Sequence, residues 1–216
     1  MKKIVLIGAS GFIGSAILKE ALERGHEVKA VVRRPERIKE QHKNLIVLKQ
    51  DVSYIENVIE VSSGADAVIS SYNPGWNNPD IAAETTRVYK IILEGIRKAG
   101  VKRFLVVGGA GSLFISPGKR MMDAGIIPES FLPAVKALAD FYLVDLTSDK
   151  DTDWVFFSPA GTIEPGKRTL KFRLGKNDLI VDENGESKIS LEDYAVAMID
   201  ELEHPAHHKG RFTIGY

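Results

Sequence analysis

The chain has 216 residues, and its 29 lysines and arginines are balanced by 29 aspartates and glutamates. That length suits one α/β domain with a sizeable core, and the balanced charge provides no field favouring nucleic acid or an anionic membrane as partner. The absence of cysteine excludes disulfides, thiolate metal sites and a cysteine nucleophile. No apolar run reaches the ~20 residues of a membrane span, and the N-terminus enters a strand without a signal-peptide pattern. A cytoplasmic protein, monomeric or homodimeric and acting on a small molecule, is expected.

Lys3-Ile4-Val5-Leu6-Ile7 reads as a strand buried on both faces. Gly8-Ala9-Ser10-Gly11-Phe12-Ile13-Gly14 follows, and then a helix with Phe12, Ile13, Ala16, Ile17, Ala21 and Leu22 in one apolar stripe. A strand, a glycine-rich turn and a helix in that order form a cradle for a dinucleotide pyrophosphate. Gly8 permits the tight turn, Gly11 lets backbone approach the phosphates, and Gly14 lets the helix pack on the strand. Ser10, Phe12 and Ile13 complete the set around the helix N-terminus, whose free N–H groups and dipole favour anions. A glycine turn that binds nothing is the alternative, and the flanking strand and helix argue against it.

Gly25 stops this helix, with His26 expected at the surface of the turn. Val28 to Val32 form the second strand, which ends in Arg33-Arg34. An acidic residue here would accept from the adenosine ribose, whereas guanidinium groups match a 2′-phosphate. Arg33 and Arg34 therefore favour NADP(H) over NAD(H), unless they are an ordinary solvated turn. Asn44 to Leu48 read as the third strand. Beyond it, Asp51 is placed to meet the adenine amino group and Val52 the ring, or Asp51 caps a turn. A short helix spans Ile55 to Val61, and Ala65 to Ser70 form the fourth strand. The loop after that strand carries Tyr72 and Trp76, which either wall a nicotinamide or planar substrate or pack beneath the loop.

Ile81 to Ala99 read as a long helix ended by Gly100, and Arg103 to Val107 as the fifth strand. The segment from about 108 to 131 is aperiodic yet apolar, and reads as a lid over the substrate. A helix runs to about Leu146, before a sixth strand at Asp153 to Phe157. Thr169–Leu174 and Leu179–Val181 suggest a hairpin around Gly175-Lys176-Asn177-Asp178, so segment 158–190 is a small substrate-side elaboration. Ser190-Leu191-Glu192-Asp193 resembles a capping box opening a helix through Leu202. His204, His207 and His208 give no metal-ligand spacing, and Pro205 breaks their helix. Phe212 to Ile214 read as the last strand.

Gly8-x-x-Gly11-x-x-Gly14, Asp51-Val52, the Ser70 strand end and Gly108-Gly109-Ala110-Gly111-Ser112-Leu113 resemble the short-chain dehydrogenase/reductase superfamily in its extended, atypical branch. Trp154 to Ala160, Ile189 to Ala195 and Arg211 to Ile214 bring the resemblance closer to its NAD(P)H-binding group of NADH-flavin reductase-like, epimerase-like and biliverdin-reductase-B-like proteins. The resemblance spans nearly the whole chain. It implies that Ser70 lies among the cofactor contacts, that Pro159 touches the nicotinamide, and that Ser112 loosely matches the superfamily's catalytic serine. Superfamily dehydrogenases also carry Tyr-x-x-x-Lys after the fifth strand, where lysine holds the ribose and lowers the tyrosine pKa. Here Lys136 is present but Leu132 stands in the tyrosine position. Tyr142, six residues beyond Lys136, points to another face and reads as a core or interface residue.

The expected fold is a single α/β domain over residues 1–216, a Rossmann-type doubly wound parallel sheet in three αβα layers beginning 3-2-1-4-5. The missing tyrosine favours an NADPH-dependent reductase of flavin (FMN or FAD as substrate) or of a similar planar conjugated acceptor. Ser112 and Lys136 are then the catalytic candidates, with Tyr72, Trp76 and Phe114 stacking on the acceptor. A sugar epimerase or dehydratase and a non-catalytic NADP(H)-sensing regulator are the alternatives.

Overall fold

The computed structural model describes residues 1–216. Its elements run β1 (Lys3–Ile7), α1 (Phe12–Glu23), β2 (Glu27–Val32), β3 (Leu45–Lys49), α2 (Ile55–Ser62), β4 (Ala67–Ser70), α3 (Ile81–Lys98) and β5 (Arg103–Val107). Then come β6 (Phe114–Ser116), β7 (Lys119–Arg120), α4 (Leu132–Asp140), β8 (Asp153–Ser158), β9 (Thr162–Glu164), β10 (Arg173–Gly175), β11 (Lys188–Ser190), α5 (Leu191–Glu203) and β12 (Gly210–Gly215). The main sheet has the order β10-β12-β8-β5-β4-β1-β2-β3, so the expected 3-2-1-4-5 beginning is present. Every neighbouring pair in it is parallel except β10 with β12.

Two-residue alternation divides the core between the faces of this sheet. Ile4, Leu6, Leu105, Phe157 and Phe212 face α1 and α5, and Phe157 stacks on both Phe212 and Tyr194. Val5, Ile7, Val68, Phe104 and Phe156 face α2, α3 and α4. The helix after β5 continues from α4 into a π-helical turn over Phe141–Leu146, which brings Tyr142 flat against Phe156 with ring centroids 4.7 Å apart. No helix is long and apolar enough to cross a membrane.

Four details differ from the sequence reading. The hairpin over 169–181 does not form: β10 pairs antiparallel with β12 and becomes the sheet edge, while Asn177 and Leu179 bond the backbone of Phe114. β12 is therefore an interior strand. His26 is buried, because its ring bridges the amide of Lys2 (3.1 Å) and the Glu203 carboxylate (3.0 Å) at the end of α5. Phe12, assigned to the inward stripe, is 55% exposed, since it opens the first turn of α1 beside the exposed Gly11. Finally, the segment after β5 is not without structure: β6 and β7 pair as a short antiparallel hairpin within it.

Ser190 does cap α5, accepting from the Asp193 amide at 3.0 Å. The Asp193 carboxylate leaves the capping box and accepts instead from Thr169, Leu170 and Tyr216. The histidine tail is engaged through space: His207 meets Glu201 at 2.7 Å and His208 meets Asp153 at 2.9 Å.

Candidate functional site

The strand order reverses between β1 and β4, and in such sheets the crevice at that switch point is where ligands bind. The glycine turn lies there. Gly8 has φ +79° and donates to Val31 O at 3.0 Å, while its own carbonyl accepts from Gly11 N at 2.9 Å. A Cβ on Gly8 would stand 2.6 Å from Ser71 O, and one on Gly14 would stand 2.2 Å from Gly8 O and 2.5 Å from Ser71 Oγ. Gly14 is thus the close-packing glycine that the motif demands. Gly11, by contrast, has an ordinary φ of −79° and is exposed, so its backbone is open to a ligand. No side chain caps α1, and its first turn carries no acidic residue. Free N–H groups, no competing carboxylate and a backbone without Cβ atoms at Gly8 and Gly11 fit a dinucleotide pyrophosphate.

Ser71, which the sequence reading passed over, holds this turn in shape by donating toward Ile7 O at 3.0 Å and Gly8 O at 3.1 Å. Its neighbour Ser70 is fully buried beside Tyr89 in the core. Arg33 and Arg34 are exposed past the end of β2, and Arg33 Nη2 donates to Pro74 O at 3.2 Å, drawing the β4 loop toward the β2 loop. Asp51 is exposed and accepts from Ser53 N at 2.9 Å, the turn-capping arrangement, while Val52 is buried in the α2–α3 core.

The aromatic loop makes two separate contacts. Tyr72 lies edge-on to Tyr89 at 5.8 Å, and burial, helped by the charge of Glu84, pushes its hydroxyl up to about 12. Trp76 is 58% exposed and meets Phe131 edge-on at 5.1 Å, joining the β4 loop to the segment before α4.

At the end of β5 a short 3₁₀ turn carries Ser112, buried against β12. Arg211 Nη1 donates to Ser112 Oγ at 2.8 Å, which leaves the serine O–H free to donate. Asn177 Oδ1 accepts from Arg211 Nη2 at 3.0 Å, and the guanidinium lies over Tyr142 at 4.9 Å. Phe114 follows on β6, with Arg120 over its ring at 5.5 Å. The α4 side chain that meets this turn is Val135, whose Cγ1 would be 2.1 Å from a Cβ on Gly111. Lys136, one residue on, is exposed and makes no hydrogen bond or ion pair. Pro159 is buried just past β8.

The chain therefore brings the glycine turn, Ser71 and the two arginines of the β2 end to one side of the crevice. Ser112 and Phe114 follow β5 on the other, next to an arginine, backed by Tyr142, that sequence spacing did not single out. Arg211 gave a faint signal, as a charge inside an apolar strand pattern.

A sequence profile described as NAD(P)H-binding matches residues 8–205. In structure, the chain is similar to a Bacteroides thetaiotaomicron protein provisionally assigned as an epimerase, with 63% identity and a TM-score of 0.95 over 100% of this chain and 97% of that one. A Streptococcus pneumoniae protein provisionally assigned as an NADH-flavin reductase is 35% identical, with a TM-score of 0.87 over 100% and 99% of the two chains. In sequence, Bacillus subtilis YwnB is 41% identical over 98% of this chain and 97% of its own length.

Proposed function

Because the chain belongs to the NAD(P)H-binding family, we propose that it is an NADPH-dependent reductase of flavin or a similar planar conjugated acceptor. The observation that carries this reading is an open glycine cradle combined with Leu132 at the position where the superfamily pattern has tyrosine. Reducing a ketone, or oxidising a sugar hydroxyl for epimerisation, needs a positioned acid or base at the reacting oxygen. A flavin accepts a hydride and one proton, and water is a sufficient source of the proton. The bound nicotinamide cofactor supplies the hydride: NADPH, a proton and oxidised flavin give NADP+ and reduced flavin.

The residues of this chain bind and orient. The free N–H groups at the start of α1, with Gly8, Ser10, Gly11, Phe12, Ile13 and Gly14, hold the pyrophosphate. Arg33 and Arg34 take the 2′-phosphate bidentately, and Asp51 meets the adenine edge. Ser112 keeps a free O–H for the acceptor or the carboxamide, its oxygen fixed by Arg211. Tyr72, Trp76 and Phe114 wall the acceptor, and Tyr72 stays neutral because burial raises its pKa. Lys136 is solvated, so its role is to reach the ribose only when cofactor is bound. The Bacteroides relative favours the epimerase reading as the second choice, and that reading needs an acid/base which Leu132 does not provide.

The test is NADPH consumption by the purified protein with FMN, with FAD and with no acceptor. Acceptor-dependent turnover well above the uncatalysed rate supports the reductase. Tight NADPH binding without turnover contradicts it and favours a sensor.

A further inference from the structure

Arg211 is only 8% exposed, within an interior strand. A cation at that depth costs several kcal/mol unless a carboxylate faces it. Arg103, equally buried, has two: Glu201 at 2.5 Å and Asp153 at 2.9 Å. Arg211 has none. Its three protein contacts are neutral oxygens, Ser112 Oγ through Nη1 and Asn177 Oδ1 through Nε and Nη2, so two of its five N–H donors remain undirected.

The nearest charges do not repair this. Arg120, across the β6–β7 hairpin, is a second cation, and its buried Nε has no partner in the protein. Asp178 faces Arg211 from the loop before β11, but it is exposed to solvent. Burial lowers the Arg211 pKa, and Arg120 pushes in the same direction against Tyr142 and Asp178. Strand alternation puts Thr213 and Ser158, paired across β12 and β8, on the same sheet face as Arg211. Both hydroxyls are fully buried and unpartnered. A polar cluster with spare donors and two cations that no carboxylate hydrogen-bonds therefore lies next to Ser112, the hydroxyl assigned to the acceptor or the carboxamide.

We propose that Arg211 and Arg120 form a receptor for an oxyanion carried by the acceptor, a carboxylate or a phosphate ester. The proposal rests on the reductase reading for its place in the reaction and narrows the substrate to anionic planar molecules. A guanidinium holds such a group bidentately, which fixes the orientation of the attached ring as well as its affinity. Arg211 supplies the buried charge, Arg120 closes over the group from the hairpin, and Asn177 keeps the Arg211 plane aligned.

Binding alone tests this, with no turnover required. Benzoate, phenyl phosphate and the neutral isostere benzamide are titrated calorimetrically into protein saturated with NADP+. At least one anion is expected to bind about tenfold or more tighter than benzamide, and whichever anion prevails identifies the group. The preference should vanish in Arg211→Met and fall in Arg120→Gln, with NADP+ affinity unchanged in both. Arg120→Gln lies at the surface hairpin and tests the site even if Arg211→Met does not fold. Equal binding of all three probes, no saturable binding of either anion, or a preference undiminished in Arg120→Gln overturns the proposal. If the anion preference is present but FMN is not reduced, the reductase reading fails and the oxyanion site stands.

Discussion

Arg211 reaches from the penultimate strand of the sheet to Ser112 at the end of β5, a 2.8 Å hydrogen bond between residues 99 apart in sequence. This bond fixes the serine oxygen while leaving its proton available. It also joins β12, the last strand of the chain, to the turn after β5, so this part of the candidate site is assembled only when the whole chain has folded.

Replacing Ser112 with alanine should therefore have two effects. Loss of a hydrogen bond to the acceptor should reduce FMN-dependent kcat by about 2- to 10-fold, the equivalent of one neutral bond. Unchanged NADPH affinity would assign the bond to the acceptor, and weakened NADPH binding would assign it to the carboxamide. Leaving a buried Arg211 donor unsatisfied should also lower stability by about 1–3 kcal/mol. Steady-state kinetics and denaturant melts on the same variant separate the two.

Arg33 stands exposed beyond β2, bonded to the Pro74 carbonyl. Arg33→Asp should weaken NADPH binding by about 1.5–3 kcal/mol and NADH binding much less. Equal losses in two fluorescence titrations would remove Arg33 as the reader of the 2′-phosphate.

The glycines of the turn should respond differently to substitution. Gly14→Ala drives a methyl into Gly8 O and Ser71 Oγ and should cost about 1–3 kcal/mol of stability. Gly11→Val meets no backbone strain, and the nearest atom to its Cβ is Gly8 O at 3.1 Å. It should stay folded, with a Tm lowered less than in Gly14→Ala, and lose binding of both cofactors.

Asp193 gives a pH signature. Burial raises its pKa, but hydrogen bonds from Thr169, Leu170 and Tyr216 outweigh that and hold it below the ordinary carboxylate range. A carboxyl whose folded pKa is depressed contributes stability that is complete above its unfolded value of about 3.9. That stability is lost as pH falls through the folded value. The Tm difference between wild type and Asp193→Asn should thus be large at neutral pH and shrink on acidification below about pH 4. A difference independent of pH would show that the carboxylate charge contributes nothing.

The cofactor side of the site was legible in the sequence because it is local. One strand, one turn and one helix within Lys3–Glu23 carry the three glycines, and their spacing encodes the close contacts seen at Gly8 and Gly14. The parallel sheet followed from apolar runs alternating with helices, and its order from the Rossmann-type pattern that the glycine turn marks. Partnerships made by tertiary contact were hidden. His26 looks like a surface turn residue until Glu203 arrives from α5, and the run around Leu179 looks like a strand until Phe114 takes its backbone bonds. Arg211 shows only as a charge in an apolar strand, because Ser112, Asn177 and Tyr142 come from three distant segments. Ser71 was missed because its work is done on the backbone of Ile7 and Gly8, which leaves no motif.

The most direct test mixes the protein, loaded with NADPH and free of oxygen, with FMN and follows the loss of flavin colour. One FMN should be reduced per NADPH, far faster than in the mixture without protein, and Gly11→Val should abolish the acceleration. Bleaching at the uncatalysed rate by a protein that binds NADPH tightly would contradict the account.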